Sequence, residues 1–255
     1  MKVFDHITID GAILLGHAVP AYFDALVDAR ESDNEWAMKL RDTALELITG
    51  KGLSATTSGT TGPAKRISIP NADLLASAQL TARTFGLKTG DRVLHCLPGD
   101  FVAGKLQLVR GFALGLNMHF IDPRGSVLDN LRIHDRFAFT AKVPLQLHRA
   151  LQQDRTRVEE QFDTILLGGG PVSDALIGEL QGLRTTVFIG YGSTETVTHV
   201  ALRRLNGAAP EDHFTAIGEC HFARDPRGCL VVYTPHLSTT QHVTNDLVEL
   251  IDDTH

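Results

Sequence analysis

Cysteine is scarce in this chain of 255 residues. The three present, Cys96, Cys220 and Cys229, form no Cys-x-x-Cys pair, which excludes a disulfide framework, a structural zinc site and a thioredoxin-type redox motif. Long hydrophobic runs are lacking too. Near the start the longest wholly apolar run, Ala12 to Leu15, falls far short of the ~18 residues that cross a bilayer, and no cleavage pattern accompanies it. Neither a membrane span nor a secretory leader is expected, and the sequence reads as cytoplasmic. No block of basic residues stands out. With 30 acidic against 24 basic side chains and a net charge of −6, little of the surface would neutralise phosphates, so nucleic acid is excluded as a partner class. Proline and glycine, 10 and 23 residues, are too few for a fibrous or low-complexity chain, while 43% hydrophobic content is too much for disorder. What remains is a globular protein of one large or two small domains, without an internal repeat.

Periodicity then orders the chain. Pro20 opens a helix through Tyr22, Phe23, Leu26 and Val27; Asp33 is placed to cap a second carrying Trp36, Leu40, Ala44 and Leu47, which Gly50 and Gly52 stop. From Leu53 to Phe188 short apolar runs alternate with helical patterns, the signature of an α/β fold on a mostly parallel sheet. The predicted strands are Val93 to Leu97, Met118 to Ile121, Phe137 to Thr140, Thr164 to Leu167 and Thr186 to Ile189. Between them Asn71 is expected to cap a helix bearing Leu74, Ala78 and Phe85, and Ser173 one from Asp174 to Leu180. Beyond Glu195 the pattern turns to strands alone, Val197 to Leu202, Cys229 to Tyr233 and Asp246 to Ile251. The expected organisation is an α/β core over 1–196 and a small β subdomain over 197–255.

Two segments carry chemistry. The first, Thr56-Thr57-Ser58-Gly59-Thr60-Thr61-Gly62-Pro63-Ala64-Lys65, combines glycines that let backbone N–H groups approach an anion, hydroxyls that donate further hydrogen bonds and a lysine that supplies charge. It reads as a phosphate cradle, though Gly-x4-Gly-Lys-[Ser/Thr] cannot be threaded through it. The second, Gly190-Tyr191-Gly192-Ser193-Thr194-Glu195-Thr196, follows a predicted strand, at the carboxyl end where α/β sheets bind ligands. Its aromatic ring, hydroxyls and carboxylate suit a base, a phosphate and Mg2+. Tyr191 and Glu195 stand where Gly-x-Ser-x-Gly requires glycines, which excludes a nucleophile elbow, and Glu195 likewise breaks Gly-x-Gly-x-x-Gly.

Together these segments resemble the adenylate-forming superfamily, the acyl-CoA synthetases and their relatives, which activate carboxylic acids with ATP. Thr57 to Lys65 resembles its phosphate loop, with proline and the variable residue exchanged as Pro63-Ala64. Tyr191 to Glu195 resembles its Tyr-Gly-x-Thr-Glu motif. That resemblance implies Tyr191 against adenine with Gly192 and Ser193 beside it, Thr194 on the α-phosphate, and Glu195 as the Mg2+ ligand. Gly168-Gly169-Gly170-Pro171 resembles the strand-end turn beside adenine, and Asp246 the aspartate that holds the ribose hydroxyls, with Asn245 in place of glycine.

Within the superfamily, Phe101-Val102-Ala103-Gly104-Lys105 with Arg110, and Glu195 to Arg203 with His199, are most similar to o-succinylbenzoate-CoA ligases of menaquinone biosynthesis. The resemblance implies that Arg110 recognises the acid's second carboxylate, with Gly104, Lys105 and His199 lining the acyl site. Phe101 stands where many members have histidine. On pattern alone, Arg110 in a helix of apolar residues is equally a snorkelling or ion-paired side chain, and His199 a satisfied strand residue. The resemblance runs from Leu53 to Ile251 and stops where the family's lid would begin, so the amino-terminal core of an acid-CoA ligase is expected. Implied with it are ATP, Mg2+, a small carboxylic acid and CoA, with a homo-oligomer among the expected states. Loading of a carrier protein and ATP or acid binding without turnover are the competing readings.

Overall fold

In the computed structural model, residues 4–29, 34–50, 52–56 and 65–255 are described. The chain begins with a hairpin, β1 (His6–Ile9) and β2 (Ala12–Leu15), turned by Asp10 and Gly11 at φ of 46° and 85°. Helices α1 (Ala18–Asp28) and α2 (Glu35–Ile48) follow, then a two-stranded ribbon of β3 (Leu53–Thr56) and β4 (Arg66–Ile69). The α/β part comprises α3 (Asn71–Phe85), β5 (Arg92–His95), α4 (Val102–Leu114), β6 (Asn117–Phe120), β7 (Phe137–Lys142), α5 (Pro144–Gln161), β8 (Phe162–Leu167), α6 (Asp174–Leu180) and β9 (Thr186–Ser193). Strands alone complete the chain: β10 (Thr198–Arg204), β11 (Thr215–Ala216), β12 (His221–Arg224), β13 (Cys229–Tyr233) and β14 (Gln241–Leu247).

Among the described residues a nine-stranded sheet runs β11-β10-β9-β8-β7-β5-β6-β1-β2, parallel from β9 to β1 and antiparallel at both margins. Both of its faces are covered. One buries Val19, Phe23, Leu40, Leu74 and Phe112 from α1 to α4; the other buries Leu147, Leu151, Leu176 and Leu180 from α5 and α6. Each fully buried Leu or Phe contributes about 1.5–3 kcal/mol, so the two apolar layers fix the register of the strands between them. Because β6 lies on one side of β5 and β7 on the other, the winding reverses there and opens a crevice at the strands' carboxyl ends. The α/β class with a small terminal β sheet, here β12-β13-β14, is the one the sequence predicts.

Local expectations need several corrections. Asn71 does not cap α3: Pro70 holds the cap position without a side-chain bond, and Asn71 Nδ2 donates to the Gly50 carbonyl at 3.2 Å. Ser173 does cap α6, accepting from Leu176 N at 3.2 Å. Asp33 lies outside the described residues. The last strand ends at Leu247, so Asp246 closes it and does not open it. The strand predicted to end at Ile189 runs on through Ser193, and the position 196 boundary falls between β9 and β10, which hydrogen-bond in one sheet.

Candidate active site

Strand β9 carries the second motif as far as Ser193. A Cβ on Gly192 would run into the Thr198 carbonyl oxygen, so the close pairing with β10 demands glycine there, while one on Gly190 would meet His199 Cβ at 3.1 Å, a tight contact. The chain then turns sharply. Val197 N donates to Thr194 O at 3.2 Å, while the Thr196 hydroxyl accepts from Ser193 N at 2.9 Å and donates to Thr198 O at 2.8 Å. Val197 and Thr198 adopt φ of 51° and 105°, conformations that β-branched residues rarely take and that cost roughly 1–3 kcal/mol each. The Ser77 hydroxyl on α3 offsets part of this by donating to Val197 O at 2.7 Å. The strained turn buries Thr194 and presents the Glu195 carboxylate to solvent.

Tyr191 and Asp246, 55 residues apart, meet: the phenol donates to a carboxylate oxygen at 2.6 Å. Burial first, then this bond, holds the phenol well above its ordinary pKa, so it remains a donor. The Tyr191 ring packs edge-on against Phe214 at 6.1 Å and walls a cavity of about 270 Å3 with Ala201, Phe222, Leu230 and Ile251. Gly168 to Gly170 follow β8. Gly169 needs its φ of 76°, whereas side chains at Gly168 and Gly170 would meet open space, leaving that backbone free to be approached.

The phosphate-loop residues Thr57, Ser58, Gly59, Thr60, Thr61 and Gly62 lie outside the described residues. Their flanks are fixed by the β3–β4 ribbon, in which Thr56 pairs with Arg66 next to exposed Lys65. Lys105, expected at the acyl site, donates to the Ser54 carbonyl at 2.7 Å and braces β3. Gly104 lets α4 start hard against the 97–98 turn, where a Cβ would strike the Pro98 carbonyl. The Gly104 carbonyl accepts from His95 Nε2 at 2.9 Å, and burial pushes that histidine's pKa down to about 4.

Arg110 is 3% exposed, and it neither snorkels nor pairs with a carboxylate among the described residues. Its Nε donates to Thr81 Oγ1 at 3.2 Å, Nη1 to Gln107 Oε1 at 2.9 Å and Nη2 to Thr198 Oγ1 at 3.1 Å. Burial alone lowers its pKa to about 10, still far above neutrality, so a full cation sits in the interior. His199 is not the satisfied strand residue of the pattern reading: Nδ1 meets Thr198 Oγ1 at 3.2 Å, but buried Nε2 has no partner among the described residues. Burial and the neighbouring guanidinium keep its pKa well below 6.5. The structure thus joins Tyr191 to Asp246, and Arg110 through Thr198 to His199; Lys105 makes its hydrogen bond to the β3 backbone. Sequence reasoning missed Thr81, Gln107 and Thr198. Gln107 and Arg110 share a face at i,i+3 in an apolar helix, which was the available signal.

An α/β sheet with a switch-point crevice, an aromatic–carboxylate pair and a glycine-lined strand end defines a nucleotide-binding enzyme core. A model of the AMP-binding enzyme family matches residues 55–223, well over half of the chain, and the chain belongs to that family. The 2-succinylbenzoate–CoA ligase of Bacillus subtilis is 32% identical over 145 residues, 56% of this chain and 30% of that protein. A Dyadobacter fermentans protein described as acyl-CoA synthetase (AMP-forming)/AMP-acid ligase II-like is 33% identical with a TM-score of 0.75, over 89% of this chain and 65% of that one. The o-succinylbenzoate CoA synthetase of B. subtilis, solved with its acyl-adenylate intermediate, is 26% identical with a TM-score of 0.62, over 74% and 52% of the respective chains. The chain spans about a third of the length of the curated relatives it matches. No helix among the described residues is long and apolar enough to cross a membrane.

Proposed function

We propose that this chain is the acid- and nucleotide-binding core of an AMP-forming acid-CoA ligase, with 2-succinylbenzoate as its acid. The observation that carries the reading is the Tyr191–Asp246 hydrogen bond beside the Glu195 turn. It joins an aromatic face to a ribose-type acceptor, with Tyr191 four residues before the metal-type carboxylate of Glu195. Gly168 to Gly170 offer open backbone to the base, and Thr194 lies beside Glu195 for the α-phosphate. Thr57 to Gly62 and Lys65 would hold the outer phosphates. Residues 1–196 carry these loops in this reading, and 197–255 supply Asp246. Glu195 fits Mg2+, which on a nucleotide takes one or two carboxylates and phosphate oxygens and needs no cage of protein ligands. When bound, the ion neutralises charge on the leaving phosphates.

The acid's carboxylate then attacks the α-phosphorus of ATP, forming the acyl–phosphate bond as pyrophosphate leaves. In a second step the CoA thiol attacks the acyl carbon and AMP departs. The protein's part is to position the acid in line and exclude water. Arg110 supports 2-succinylbenzoate because a buried cation without a carboxylate suits the acid's second carboxylate. Calorimetry on the 255-residue chain should show Mg2+-dependent ATP binding that Glu195→Gln weakens at least about tenfold, since it removes a charged contact. The melting temperature should stay unchanged, because Glu195 is exposed. Equal ATP affinity in Glu195→Gln and parent at saturating Mg2+ would remove Glu195 from the site.

A further inference from the structure

The surroundings of Arg110 hold a hydrogen-bonding imbalance of one sign. A guanidinium can only donate, so the Thr198 hydroxyl accepts from Nη2. Among the described residues His199 Nδ1, at 3.2 Å, is the acceptor within reach of the hydroxyl's own proton. With the Thr198 hydroxyl donating to Nδ1, His199 carries its proton on Nε2, and that buried N–H is the atom left without a partner. Gln107 gives its carbonyl oxygen to Nη1, which leaves its NH2 group; Gln107 Nε2 is likewise buried and without a partner among the described residues. The side chains of Gln107, Arg110 and His199 are 1%, 3% and 5% exposed. In this arrangement the two unmet groups beside the cation, Gln107 Nε2 and His199 Nε2, are both donors. Orphaned buried donors are rare because each costs about 1–3 kcal/mol, and two flanking one cation need a common explanation.

We propose that Gln107 and His199 are specificity residues which, with Arg110, form a donor-only cradle for the second carboxylate of the acid. A carboxylate is the matching group because it has acceptors only, about four lone-pair sites, and brings the charge that the guanidinium lacks. Neutral His199 serves as a donor here without adding a second buried charge. An amide or hydroxyl in the cradle would oppose one of its own protons to these donors. This inference rests on the reading of Arg110 as the acyl-site arginine, and it deepens that reading by adding Gln107, which no motif marks, and by giving His199 a donor's part.

The test is calorimetric binding of 2-succinylbenzoate, and of 4-oxo-4-phenylbutanoate, which lacks the ring carboxylate, to the 255-residue chain and its variants. Gln107→Leu and His199→Phe should each weaken the dicarboxylate about tenfold or more while changing the monocarboxylate and ATP little. Their ligand-free melting temperatures should hold or rise, because each removes an orphaned donor. His199→Gln, which restores an N–H donor, should recover most of the lost affinity. If Arg110→Ala loses the preference for the dicarboxylate but Gln107→Leu and His199→Phe keep it, the cradle is refuted and the Arg110 reading stands. If Arg110→Ala also keeps it, or the parent does not bind the dicarboxylate, both fall. A lowered melting temperature in both donor variants with selectivity intact would assign these atoms to structural water and overturn the cradle.

Discussion

His95 is neutral because it is buried among apolar neighbours with one partner, the Gly104 carbonyl. Its folded pKa of about 4 lies below the unfolded value of 6.5, so the unfolded chain binds the extra proton between those values. Stability is therefore complete above pH 6.5 and is lost as pH falls toward 4, by on the order of 3 kcal/mol for this group. Thermal melts across that window should steepen in the parent and flatten in His95→Gln, which keeps an amide donor toward Gly104; an unchanged slope would discard the assignment. Residues such as this were not legible in the sequence. His95 sits in an apolar strand and takes its partner from a neighbouring helix, nothing local marks Thr81 either, and Gln107 is marked only by its i,i+3 spacing from Arg110. Tyr191, Glu195 and Asp246 were legible because their residue types and order form a recognisable motif, though the Tyr191–Asp246 bond itself was not.

Strand β7 ends in a lysine that no ion pair supports among the described residues. Lys142 is 1% exposed, with its ammonium 3.7 Å from Cys96 Sγ and 4.4 Å from the centre of the Phe162 ring. Burial lowers its pKa below 10.5, so between the folded value and 10.5 the unfolded chain binds more protons and stability rises with pH. Lys142→Met keeps the volume and removes a buried charge whose desolvation no ion pair offsets among the described residues. It should raise the melting temperature at pH 7 and abolish the alkaline rise; a fall of several degrees would show that the ammonium holds a group the fold requires. Central strands such as β7 were read from apolar runs to within a few residues, because burial on both faces leaves few polar letters in them. The β1–β2 hairpin was not, although Asp10-Gly11 is the two-residue signal for it. Its run Ala12 to Leu15 keeps an exposed edge and shows no alternation, with Ile13 67% exposed. Helix α5 was missed as well, since its apolar stripe, Leu147, Ala150, Leu151 and Val158, is thin within a polar stretch.

At the scale of the molecule, the sheet order joins the first strand to a partner roughly a hundred residues later, since Thr8 of β1 pairs with Asn117 of β6. Alternation of strand and helix gave away the parallel sheet but not this closure, because pairing between distant segments leaves no periodic mark. The pairing also sets a timetable for synthesis. At 5–20 residues per second the ribosome delivers β6 roughly 5–20 seconds after β1, and for that interval Ile7 and Ile9, buried in the finished fold, have no sheet to enter. Nascent chains stalled before Asn117 emerges should be cut by protease within the first fifteen residues, and chains stalled well past Phe120 should resist. Codons or chaperones that lengthen the interval would act on aggregation through this one hairpin, while leaving the stability of the completed protein untouched.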